Sequence, residues 1–196
     1  VKEYAALRVE PLDEACREWN EKALLPVGYE CNNLFLTDWD ETDFGELDFY
    51  DLFDVFYPQI YHRKIPWQSR KNAGNSTVYG IPSKEFESVI QKFLNVKTDI
   101  LREKTIYREK DDTYEYYPRG FYESEYPEHP YPEVTAFQEN DDGTVTLTVH
   151  AVFPYLGSSR ALVHEVTVRQ MENAAAAVQY AVSYTHLRAH ETSQDL

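Results

Sequence analysis

Apolar residues recur at helical spacing in three stretches of the chain. Leu12, Ala15, Cys16, Trp19 and Ala23 do so behind Asp13, which stands where an N-cap belongs, so a helix is predicted over residues 13–24, ended by Pro26 and Gly28. Leu47, Tyr50, Phe53, Phe56, Tyr57 and Ile60 mark a second helix reaching about Tyr61, with a kink expected at Pro58. The clearest stripe is Phe86, Val89, Ile90, Phe93 and Leu94, placed behind Ser83 as its cap and expected to pack on the face of a sheet. Thr98 is read as the cap of one further turn.

The remaining pattern has period two. A short strand is predicted over Ala5–Val9, an extended piece over Thr77–Gly80, and a hairpin from Thr105–Arg108 and Thr113–Tyr117 around Glu109-Lys110-Asp111-Asp112. From Val134 the chain is purely β. Val134–Asn140 and Thr144–Phe153 flank a turn at Asp142-Gly143, followed by Ala161–Arg169 and the start of a fourth strand at Val178–Val182. In the second of these, Val145, Leu147, Val149 and Ala151 alternate with Thr144, Thr146, Thr148 and His150, as in an antiparallel sheet packed on one face. Helices come first and antiparallel strands follow, which predicts an α+β fold with helices on one face of the sheet. No internal repeat is visible. The organisation read from this pattern is an N-terminal helical part over residues 1–75, an α+β region over 76–182, and a terminal stretch, 183–196, of different character.

Composition narrows the function classes. The 196 residues include 34 acidic and 19 basic side chains, a formal net charge of −15. Phosphate backbones and anionic lipid surfaces are both bound through clustered Lys and Arg, so neither is an expected partner. No apolar run is long enough to span a bilayer. Two cysteines, Cys16 and Cys31, are too few for a disulfide scaffold, and Cys16 falls on a helix stripe as a buried thiol would. The chain begins at Val1, not Met, and is expected to be an internal piece of a longer protein.

Several chemistries can be weighed on spacing. Asp38, Asp40 and Asp43 suggest a calcium loop, but counted from Asp38 the sixth and twelfth positions are Asp43 and Phe49, where an EF-hand needs Gly and a carboxylate. The acidic stretch therefore reads as a solvated loop. His164 alternates with Leu162, Val166 and Val168 and faces the core, whereas His150 lies on the polar face, so the two cannot share a metal. There is no nucleophile elbow and no Gly-rich phosphate loop. The expectation is a non-enzymatic domain without cofactor or metal.

One segment stands out. Tyr114, Tyr116, Tyr117, Phe121, Tyr122, Tyr126 and Tyr131 are interleaved with Pro118, Pro127, Pro130 and Pro132. Exposed tyrosines stack on sugars and peptides at low entropic cost. Tyr116, Tyr122 and Tyr126 are the candidate binding residues, with a cell-wall glycan or a peptide as ligand. The competing reading packs these rings against the sheet.

Further stretches carry a resemblance. Val9-Glu10-Pro11-Leu12-Asp13-Glu14-Ala15-Cys16-Arg17, Pro26-Val27-Gly28-Tyr29, Asn32-Asn33-Leu34-Phe35 and Asp43-Phe44-Gly45-Glu46-Leu47-Asp48-Phe49-Tyr50-Asp51-Leu52 do so first. They are joined by Pro82–Phe93, Tyr116-Tyr117-Pro118-Arg119-Gly120, Tyr131-Pro132-Glu133-Val134, Glu139–Val145 and His164-Glu165-Val166. Together they resemble a bacterial domain-of-unknown-function family of exported, lipoprotein-like proteins. The resemblance implies an extracytoplasmic, lipid-anchored location in a full-length surface protein; action by protein contact is the expected role. It transfers no catalytic or binding residue. The end, Ser183-Tyr184-Thr185-His186-Leu187-Arg188-Ala189-His190-Glu191-Thr192, resembles a translated sequencing adapter instead. On that reading the His186/His190 pair, at helical metal-ligand spacing, has no functional meaning, and residues from Ser183 onward are expected to make no specific core contacts.

Overall fold

The computed structural model describes residues 13–66, 78–117, 129–172 and 176–186. The predicted Ala5–Val9 strand and most of the 118–132 connection lie outside them. Four α-helices are described: α1 (Glu14–Trp19), continued by a π-helical turn Asn20–Leu24, α2 (Phe49–Tyr61), α3 (Ser83–Phe93) and α4 (Thr98–Lys104). Eight strands accompany them: β1 (Trp39–Asp40), β2 (Tyr79–Pro82), β3 (Tyr107–Arg108), β4 (Thr113–Tyr116), β5 (Tyr131–Glu139), β6 (Thr144–Phe153), β7 (Ser158–Gln170) and β8 (Val178–His186).

The fold is α+β, as the pattern predicts, but with two antiparallel sheets: a five-stranded one in the order β1-β8-β7-β6-β5 and a three-stranded one in the order β2-β4-β3. Caps fix the first two helices. The Asp13 carboxylate accepts from Cys16 N at 2.7 Å, and Asp48 accepts from Tyr50 N and Asp51 N. Ser83 and Thr98 are the first residues of their helices, not their caps. Ser83 N instead donates to the Asp112 carbonyl at 3.0 Å, tying α3 to the β3–β4 turn.

One buried cluster runs from Cys16 to Tyr180 and is shared by the N-terminal helical part and the α+β region. Its aromatic spine can be followed ring by ring. Tyr114 stacks on Phe86, Phe86 on Phe53, and Phe93 on Phe56 at 4.1 Å, while Phe56 lies parallel to Tyr180 on β8. The α3 stripe is therefore buried, but chiefly against α2 and the small sheet. It meets the large sheet at the β8 edge, where Leu94 bridges Tyr180. The apolar face of α3 expected on the sheet is taken up largely by α2, whose Phe53 and Phe56 stack on Phe86 and Phe93.

On the large sheet the expected alternation holds from Val145 to Ala151: Val145, Leu147, Val149 and Ala151 are buried, and Thr146, Thr148 and His150 are only partly so, whereas Thr144, expected on the polar face, is itself 4% exposed. The outer face carries a polar ladder, in which Asn140 Nδ2 donates to the Thr144 and Thr146 hydroxyls and Thr146 Oγ1 lies 3.0 Å from Thr167 Oγ1.

The expectation that residues from Ser183 onward make no specific contacts is corrected. Ser183 pairs with Val166 on one side and Trp39 on the other and is fully buried. The Asp38 carboxylate accepts from Thr185 N and Oγ1 at 2.7 and 2.8 Å. Main-chain ladders need no particular side chain, so a strand begun at Val178 extends wherever β7 offers a free edge.

Candidate functional site

The Tyr-rich segment leaves the small sheet at β4, and alternation along β4 sends Tyr114 and Tyr116 to one side and Tyr117 to the other. That side is the core. Tyr114 is fully buried, and its hydroxyl donates to Glu87 Oε1 at 2.8 Å. Burial foremost, then the Glu87 carboxylate, raise its hydroxyl pKa. Tyr116 is 1% exposed, its ring between Tyr50 and Phe53 and its hydroxyl donating to Asp54 Oδ1 at 2.7 Å. Asp54 lies on the buried face of α2 and is itself 4% exposed. Tyr116 is thus corrected from a ligand-stacking residue to a core residue, since neither face of its ring is open. Tyr117 is 49% exposed, with its hydroxyl on Glu115. Tyr122 and Tyr126, the other two candidates, lie outside the described residues. Tyr131 opens β5 partly buried, opposite Val152.

The histidines divide as their strands require. His164 is fully buried, stacked on Phe35, with Nε2 2.6 Å from Tyr29 Oη. Burial raises the Tyr29 hydroxyl strongly, so it stays a neutral hydrogen-bonding group. Near it, the Tyr180 hydroxyl donates to the Ala23 carbonyl at 2.6 Å, in the π-helical turn. These bonds hold the residue 23–35 stretch onto the inner face of β7 and β8. His150 lies on the opposite face, in register with Glu133 and Val163.

The acidic loop is occupied with its own geometry. Asp40 Oδ1 accepts from Thr42 N, Thr42 Oγ1 and Asp43 N, and these bonds, the Thr42 side chain first, hold its carboxyl below the usual range. Asp43 Oδ1 accepts from Gly45 N at 2.9 Å. Glu41 and Arg169 form a two-pronged pair, with Arg169 Nη2 2.7 Å from Glu41 Oε2, which lowers the Glu41 carboxyl and anchors the loop to β7. Among the described residues no group of three His, Cys, Asp or Glu side chains converges as a metal would need.

What the described surface does expose is the β6–β7 connection. Pro154–Leu156 form a 3-10 turn closed by Gly157 at φ +62°. Tyr155 is 72% and Leu156 64% exposed, with Phe153 6.2 Å from Tyr155. The sequence pattern leaves residues 154–160, between the strands predicted over Thr144–Phe153 and Ala161–Arg169, without an assignment. The overlooked sign was three apolar side chains, Phe153, Tyr155 and Leu156, at a strand-to-strand turn, where polar residues are the rule.

The family comparison matches residues 1–184. The chain belongs to a family of unknown function (DUF6070). No curated protein and no solved structure matches it significantly. Membership in DUF6070 carries no activity to transfer, so function is argued from the surface and the interior as they stand. No helix among the described residues is long and apolar enough to cross a membrane.

Proposed function

We propose that this DUF6070 chain is a non-enzymatic, extracytoplasmic domain of a larger, lipid-anchored bacterial surface protein, and that it acts by protein contact through the β6–β7 tip. The exposure of Tyr155 and Leu156 carries the reading: two large apolar side chains stand open at the end of a paired two-strand support whose base is buried core. The interior polar groups support it from the other side. Tyr29–His164 and Tyr116–Asp54 each join two separate parts of the chain, a structural use of groups that could otherwise do chemistry.

The test places a photo-crosslinking residue at Tyr155 in the full-length protein on cells, with Glu109, an exposed residue of the β3–β4 turn, as control. A defined crosslinked partner at Tyr155, absent at Glu109 and lost from the Leu156→Ser background, is the expected result. Equal labelling at the two positions overturns the reading.

The glycan- or peptide-binding reading is favoured by one observation, the half-exposed Tyr117 ring where the segment leaves β4. It assigns the contacts to Tyr122 and Tyr126 in place of Tyr116. Titration of cell-wall fragments against wild type and the Tyr122→Ala/Tyr126→Ala double variant tests it. Binding that survives the double variant rules those rings out.

A further inference from the structure

We draw no further inference here: the strongest candidate, the exposed Phe153–Leu156 tip of the β6–β7 hairpin, already carries the proposed contact, and nothing in the structure shows what covers it.

Discussion

Tyr116→Phe separates a core tyrosine from a binding one. The substitution keeps the ring against Tyr50 and Phe53 and deletes only the hydroxyl that donates to Asp54 at 2.7 Å. Both partners are almost wholly buried, so water does not screen the bond or replace it. Leaving a buried carboxyl oxygen without its donor in such a place costs about 1.5–3 kcal/mol. For a domain of this size that corresponds to a Tm lower by roughly 3–12 °C. Denaturant unfolding of four proteins measures it: wild type, Tyr116→Phe, Asp54→Ala and the double variant. The cycle should return a coupling of about 1.5–3 kcal/mol, because removing the hydroxyl costs little once the carboxylate is gone. A coupling under about 0.5 kcal/mol would refute the reasoning and return Tyr116 to the list of groups available for a ligand.

Gly45 has φ +49°, and a Cβ there would sit 2.7 Å from the Asp38 carbonyl oxygen, so Gly45→Ala should cost about 1–3 kcal/mol in unfolding measurements, whereas Gly143→Ala, strained but with open space, should cost less. A chain ending at Val182 should be less stable by about 2–4 kcal/mol, from the loss of several ladder bonds to β7 and of the Asp38–Thr185 pair; an unchanged Tm would show that these contacts contribute nothing. The Cys31 thiol is raised by burial and by Glu30, Asp51 and Asp54, so at pH 8 it should hold less thiolate than free cysteine and alkylate more slowly, with Asp51→Asn speeding the reaction. Burial, with Asp13 adding to it, pushes the Cys16 thiol up to about 11, so Cys16 should react only on unfolding; modification of the native protein at both cysteines at equal rates would contradict this.

What could be read in advance was whatever depends on local period. The β6 alternation sorted its side chains from Val145 to Ala151, missing only the buried Thr144 at the strand's start, the β7 alternation put His164 inside, and the α3 stripe was buried at every position named. Distant partnerships were beyond that reading. Alternation shows that Tyr114 and Tyr116 share a side but not that the side is the core; that depends on packing against α2, where Asp54 lies 62 positions from Tyr116. Trp39 and Asp40 form a strand only because β8 arrives beside them, and nothing in the acidic loop's own pattern suggests extended pairing. The switch from one sheet to two has the same origin. The β2–β4 pairing joins Tyr79 to Tyr116 across both α3 and α4, a choice made by packing rather than by propensity.

The treatment of the sheet edges bears on how this domain could meet a partner. A free strand edge is a route to strand addition, and in the large sheet β5 at one end, and at the other the length of β8 that the two-residue β1 leaves uncovered, are both obstructed. On β5, Pro132 has no N–H to give, the Val134 N–H donates to Asn20 Oδ1 at 3.2 Å, and a bulge between Val134 and Ala136 breaks the register. Beyond the bulge Trp19 of α1 lies 6.5 Å from Phe137. On β8, the two-residue β1, the Leu94 bridge and the Asp38 carboxylate divide the edge among them. The π-helical turn matters here because it presents Asn20 to one edge strand and the Ala23 carbonyl to Tyr180 of the other, so one short element braces both sides of the sheet. A contact made through main-chain pairing would have to displace these side chains. A contact made by Tyr155 and Leu156 would displace only water, and that difference in cost is what the proposed contact at the hairpin tip rests on.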